Sequence, residues 1–187
     1  MRVFVDTNVW YPIRTADLIL RTVEFHLIDL AWSAEALAEL SRVLIQVKCL
    51  KSESVENFVE AIRLTAPSGC ITANSYQHLV EQMRGPDPDD HILSAAVRGG
   101  LVDVLLTENV IDFPQDDVGS QCRVLRPDEL FSELVGTYPI EFARLIVEMS
   151  ANLKNPPKTV RMVLNQLRKS GLTRFWKSCA FGQGPLR

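Results

Sequence analysis

Histidine is scarce in this chain, and none of His26, His78 and His91 stands at ligand spacing from another. The four cysteines, Cys49, Cys70, Cys122 and Cys179, form no C-x-x-C pair, which argues against a zinc knuckle and a dithiol redox centre. Reduced thiols in a cytoplasmic protein are the expectation. There is no G-x-G-x-x-G, no G-x-x-x-x-G-K-[ST] and no G-x-S-x-G, so a dinucleotide fingerprint, a P-loop and a nucleophile elbow are all missing. No apolar run approaches the roughly 18 residues of a membrane span. The first residues, Met1 to Asp6, reach a carboxylate after three apolar side chains, unlike a signal peptide. No membrane partner is expected, and neither repeats nor low-complexity segments occur.

What is present is a chain of 187 residues, 47% apolar and 23% charged, long enough for a substantial core. The formal charge of −3 conceals an asymmetry. Residues 151 to 187 hold Lys154, Lys158, Arg161, Arg168, Lys169, Arg174, Lys177 and Arg187 and no acid, so the −3 divides into −11 before residue 151 and +8 after it.

Periodicity gives an alternating α/β pattern. Val3 to Val5 reads as a short buried strand ending at Asp6, followed by apolar residues at helical spacing from Ala16 to Leu27. Ile28 to Trp32 reads as a second strand, with Ser33 as the N-cap of a helix striped by Leu37, Leu40, Leu44 and Val47. Further helices are predicted near 54–66, 75–83 and 88–99, the last stopped by Gly99-Gly100. Strands are predicted at 102–106 and 122–125, and everything beyond Pro127 is helical, interrupted at Pro156-Pro157. Short apolar strands separated by helices imply a parallel sheet covered on both faces. The expected division is a domain over 1–126 and a helical, basic extension over 127–187.

Ligands in a parallel α/β sheet bind beyond the carboxyl ends of the strands, and carboxylates gather there. Asp6 follows the first strand, while Thr107, Asn109 and Asp112 follow another. Asp87, Asp89 and Asp90 open a helix, and Glu39 lies on the second helix beside Val43, at the edge of its apolar arc. Each has a plain alternative. Asp87-Pro88-Asp89-Asp90 is also a good helix start, with Asp87 as cap and acids in the first turn. Glu39 reads equally as a solvated side chain, and Asp112 before Phe113-Pro114 as a turn former. Asp6 is the hardest to explain away, because a carboxylate ending a buried Val-Phe-Val strand costs desolvation unless donors or a cation compensate.

Taken in order, Val-Asp6-Thr-Asn8-Val, Glu39 on an amphipathic helix, Asp87-Pro-Asp89-Asp90 before Ser94-Ala-Ala, and Leu-Thr107-Glu-Asn109-Val-Ile-Asp112-Phe-Pro resemble the PIN domain family of metal-dependent ribonucleases, and within it the VapC-type toxins of toxin–antitoxin systems. The resemblance covers residues 1 to about 126. It implies a three-layer α/β/α fold with a central parallel sheet, and it puts the family's acidic quartet on Asp6, Glu39, Asp90 and Asp112, supported by Asn8, Thr107 and Asn109. The following Leu-Ser-Ala-Ala favours Asp89 as the third acid, whereas the spacing to Thr107 favours Asp90; Asp90 is taken. Asp87 is an auxiliary ligand or the cap. The resemblance further implies single-stranded or looped RNA as substrate, cleaved to 3′-hydroxyl and 5′-phosphate ends, a cognate antitoxin entering the acidic groove, and a homodimer.

The residue types suit that chemistry independently. Converging carboxylates raise one another's pKa and call for a cation, and oxygen-only ligands select Mg²⁺ or Mn²⁺ over zinc. Asp6 and Asp90 are expected to bind the metal, Glu39 and Asp112 to complete the site or act through water, and Thr107 and Asn109 to orient ligands. Arg14, Arg21 and Arg84 are candidate phosphate contacts, with solvated surface arginines as the plain alternative. The basic run after residue 150, with Phe175 and Trp176 between Arg174 and Lys177, reads first as a docking or partner surface and second as an RNA contact. A dehalogenase-like phosphatase is discounted because Asn8 stands where that class needs a second Asp. A housekeeping RNA-processing nuclease and a catalytically silent RNA- or protein-binding module are the remaining alternatives.

Overall fold

The computed structural model describes residues 1–181, so Arg187 of the basic run lies outside the described residues. The chain forms two compact units, one of residues 1–10 and 28–125, the other of residues 11–27 and 126 onward.

The first unit is built on five strands: β1 (Arg2–Val5), β2 (Asp29–Ser33), β3 (Cys70–Ile71), β4 (Val104–Leu106) and β5 (Arg123–Leu125). They pair in parallel in the order β3-β2-β1-β4-β5. Val3, Leu30, Val104 and Leu106 point to one face and Phe4, Ala31 and Leu105 to the other, and all are buried. Burial on both faces is why these strands read as continuous apolar runs. The strand order reverses at β1, where Phe4 stands beside Leu105 and Val5 beside Leu106. The carboxyl ends of β1 and β4 are therefore neighbours at the switch point, and the Asp6 amide donates to the Leu106 carbonyl at 2.9 Å.

The helices of the chain are numbered in order, and α1 (Ile13–Glu24) belongs to the second unit. The first unit contains α2 (Ala34–Gln46), α3 (Ser52–Thr65), α4 (His91–Gly99) and the single turn α5 (Gln115–Val118). Ser33 caps α2 as expected, its hydroxyl accepting from the Ala36 amide at 3.2 Å. The helix expected near 75–83 is instead a pair of 3₁₀ turns, Ala73–Ser75 and Gln77–Gln82. At Tyr76 between them the backbone leaves the helical region, with φ −137°. Tyr76 and Met83 are anchored in the core, and a Cβ on Gly99 would come within 2.4 Å of the Ser75 carbonyl oxygen. Packing of this segment against α4 thus overrides its helical spacing.

Gly99-Gly100 stops α4 for a different reason from the one expected. Gly100 has an ordinary φ of −85°, and the left-handed residue is Leu101, at φ 50°. The glycines are needed for close approach: a Cβ on Gly100 would sit 2.2 Å from Ile71 Cδ1.

The second unit is helical: α1, α6 (Pro127–Thr137), α7 (Pro139–Asn152), α8 (Val160–Lys169) and α9 (Thr173–Phe181). Pro127 and Pro139 each begin a helix, where a missing amide hydrogen costs nothing. Phe175, fully buried, meets the rings of Phe131 and Phe142 edge-on at centroid distances of 6.1 and 5.9 Å. The Asp128 carboxylate of α6 accepts from the Arg174 and Phe175 amides, both at 2.9 Å, and so holds the first turn of α9. Among the described residues no helix is long and apolar enough to cross a membrane.

Candidate active site

Asp6 sits at the end of β1 and is only 6% exposed. Its Oδ2 accepts from Asn8 Nδ2 at 2.6 Å and from Thr107 Oγ1 at 2.6 Å. Thr107 Oγ1 in turn accepts from the Asn109 amide at 3.0 Å, and Asn8 Oδ1 accepts from the Glu108 amide at 3.1 Å. The loops after β1 and β4 are thereby laced together around one carboxylate. Burial still pushes the Asp6 carboxyl above the usual range, against the lowering effect of the Thr107 and Asn8 donors. Asn109 reaches this network only through its backbone; its side chain is exposed.

Glu39 is half-buried on the inner side of α2, and its pKa is raised by burial first and by the Asp6 charge second, with Arg42 pulling the other way. The Thr7 hydroxyl also acts on Glu39, lowering its carboxyl against the effect of burial.

Asp90 is where the acids converge. Burial, followed by the charges of Asp6, Asp87, Asp112 and Glu39, lifts its carboxyl to about 7. Asp89 is exposed and bears on Glu39. Asp87 does serve as a cap, its Oδ1 accepting from the Asp89 amide at 3.0 Å, and its charge also acts on Asp90. The plain reading and the functional reading of that segment are therefore compatible.

A cavity of about 440 Å³ opens beside these groups, lined among others by Glu39, Arg42, Asp87, Asp89 and Asp90. Arg42 lines this cavity and lowers the Glu39 carboxyl, and it had no sequence signal beyond its place one turn after Glu39.

Another residue missed from the sequence is Asp117, at 2% exposure. Its Oδ2 accepts from the Arg84 and Gly85 amides at 2.7 and 2.6 Å. The His91 ring Nε2 lies 3.0 Å from the Gly85 carbonyl oxygen, and a Cβ on Gly85 would meet the Asp112 carbonyl oxygen at 2.9 Å. Asp117, Gly85 and His91 together clamp the start of the Asp87–Asp90 segment against the loop that carries Asp112. Asp117 follows Asp116 in a polar stretch, and nothing in the pattern separates the buried acid from the exposed one.

The three candidate phosphate-binding arginines are engaged within their own units. Arg14 and Arg21 pair with Asp17 at 3.7 and 3.0 Å, and Arg21 also with Glu148 at 4.0 Å. Arg84 turns back onto the Glu81 and Met83 carbonyls at 3.0 and 2.9 Å.

The donor set gathered at the end of β1 and β4 is entirely oxygen; burial raises the Asp6 carboxyl, and burial together with neighbouring acids raises those of Glu39 and Asp90. Those features suit a hard divalent cation. Among the described residues no three His, Cys, Asp or Glu side chains form a ready-made metal cage; the acids act on one another electrostatically.

Comparison with known proteins gives two family matches. The PIN domain family matches residues 2–111, and the VapC50 C-terminal domain family matches residues 127–180. No curated protein and no solved structure matches the chain. The first match spans more than half of the chain and contains Asp6, Glu39 and Asp90, and the second adds the helical region that follows. The chain therefore belongs to the PIN domain family, as a nuclease toxin of the VapC type.

Proposed function

We propose that this chain is a Mg²⁺- or Mn²⁺-dependent endoribonuclease, the toxin of a toxin–antitoxin pair, working in the cytoplasm. The observation that carries the reading is the buried Asp6 carboxylate at the joined ends of β1 and β4, gripped by Asn8 and Thr107, with Asp90 within reach of its charge and of those of Asp87, Asp112 and Glu39. Such a cluster is costly without a neutralising cation.

In this reading Asp6 and Asp90 hold the metal directly, and Glu39 and Asp112 complete the site or act through water. When bound, the cation supplies charge neutralisation and Lewis acidity toward a phosphodiester. Thr107 and Asn8 hold Asp6 Oδ2 in one orientation, each from its own loop, which is the role of polar groups behind a metal ligand. Asp117 and His91 keep the Asp90 segment in place. Glu39 stands at the edge of the cavity, where the Thr7 hydroxyl and Arg42 favour its charged form against burial and the Asp6 charge. Arg42 offers a positive contact for a phosphate entering an otherwise acidic opening.

The partners that follow are an RNA substrate, an antitoxin whose segment occupies the acidic cavity, and a second copy of the chain. Incubation of the purified chain with mixed-sequence single-stranded RNA tests the reading. Fragments with 5′-phosphate ends that form with Mn²⁺ and not with EDTA are expected. RNA left intact with every divalent cation would refute it.

A further inference from the structure

The cationic stretch that follows residue 150 divides sharply once folded. Its apolar side is used internally: Val163, Leu164 and Leu167 of α8 and Phe175 and Cys179 of α9 are all buried. Phe175 packs between Phe131 and Phe142 of the same helical unit. Arg174 is also occupied, on Glu129 at 3.4 Å.

The opposite side of α8 is a different surface. Arg161 and Arg168 lie seven residues apart, two turns and about 10 Å along one stripe, with Asn165 between them and Lys169 alongside. Arg161, Arg168 and Lys169 are exposed, as is Lys177 on α9. None of these four makes an ion pair among the described residues, and no acid occurs from residue 151 onward. The Arg168 guanidinium lies 4.8 Å from the centroid of the half-buried Trp176 ring, joining the cations of α8 to an aromatic face on α9.

We propose that this face, formed by Arg161, Arg168 and Lys169 of α8 with Trp176 and Lys177 of α9, binds the sugar-phosphate backbone of single-stranded RNA. An aromatic ring set among unpaired cations is the composition that grips a single strand without reading its sequence. A protein interface would want an apolar centre, and Met162 is the only exposed large apolar side chain on the described part of α8. The choice of RNA among polyanions rests on the proposed nuclease activity; the surface does not depend on the acidic site.

The test is binding of a fluorescein-labelled mixed-sequence RNA 20-mer to the full chain in EDTA, followed by anisotropy over a KCl series. The substitutions Arg161→Gln, Arg168→Gln and Lys169→Gln, made together, alter only exposed side chains; circular dichroism checks that the variant folds. We expect affinity to fall at least tenfold at low salt and the slope of log K against log[KCl] to become shallower by about 2, at about 0.7 per lost phosphate contact. Arg161→Lys with Arg168→Lys should keep the slope. In RNA cleavage, the triple variant should raise KM for the 20-mer and leave kcat unchanged. Unaltered affinity and slope in the triple variant would overturn the proposal, even if metal-dependent cleavage is intact. Loss of binding in a chain that never cleaves RNA would uphold it and refute the nuclease reading instead. If RNA binding is unaltered and the triple variant loses binding to an acidic protein partner, the face is a protein surface and the proposal fails.

Discussion

Thr107 Oγ1 donates to Asp6 Oδ2 at 2.6 Å across 101 residues of sequence. The bond exists because β1 and β4 are adjacent parallel strands whose ends meet at the switch point. It opposes the desolvation that raises Asp6, so it favours the charged carboxylate that a cation would require.

Thr107→Val removes that donor and keeps the shape. Metal affinity, read by Mn²⁺ titration, should fall by about 10- to 100-fold, while Thr107→Ser stays close to the parent. Equal affinity in all three would show that the hydroxyl does not orient Asp6.

Asp90 gives a pH dependence of defined sign. Its folded carboxyl stands at about 7, against 3.8 for a free aspartate side chain, so between those values the folded chain binds more protons than the unfolded one. Stability must then fall as pH rises through that window. The metal-free chain should melt at a lower temperature at pH 8 than at pH 5, and Asp90→Asn should flatten the difference. Added Mn²⁺ should raise the melting temperature more at pH 8 than at pH 5, because only the ionised cluster attracts it.

Asp117→Ala leaves the Arg84 and Gly85 amides without their shared acceptor. An unsatisfied buried donor costs about 1–3 kcal/mol, to be read by urea denaturation. Gly85→Ala acts on the same junction from the other side, pressing a methyl against the Asp112 carbonyl, and should reduce cleavage in a chain that still folds.

Within the second unit, Phe175→Ala should cost about 3–5 kcal/mol, since it empties the space between two aromatic rings. Lys177→Ala, at an exposed position, should change stability by less than about 0.5 kcal/mol.

The residues that sequence reasoning reached are those whose surroundings are encoded nearby. Asp6 stands out because three buried residues precede it, Ser33 because a helical stripe follows, and Asp87 because Pro88 and two acids complete a helix start. What escaped depends on tertiary neighbours. Strand β3 is two residues long, too short for any alternation. Asp117 is defined by two amides more than thirty positions away. Gly99 and Gly100 fit a helix stop by pattern, while their actual constraint comes from Ser75 and Ile71. The segment 75–83 has apolar spacing suited to a helix and is bent into 3₁₀ turns by the same contacts. The adjacent Phe175 and Trp176 were indistinguishable in sequence; only the packed unit assigns one to the core and the other to the basic face.

The central claim is that Asp90, and not the more exposed Asp89 that lines the same cavity, is the third acid of the site. The direct measurement is Mn²⁺-dependent cleavage of single-stranded RNA by the parent chain, Asp90→Asn and Asp89→Asn, with Asp6→Asn as the reference for a lost ligand. Asp90→Asn should match Asp6→Asn in losing cleavage, with Asp89→Asn retaining most of it. Loss in Asp89→Asn with cleavage preserved in Asp90→Asn would contradict the account.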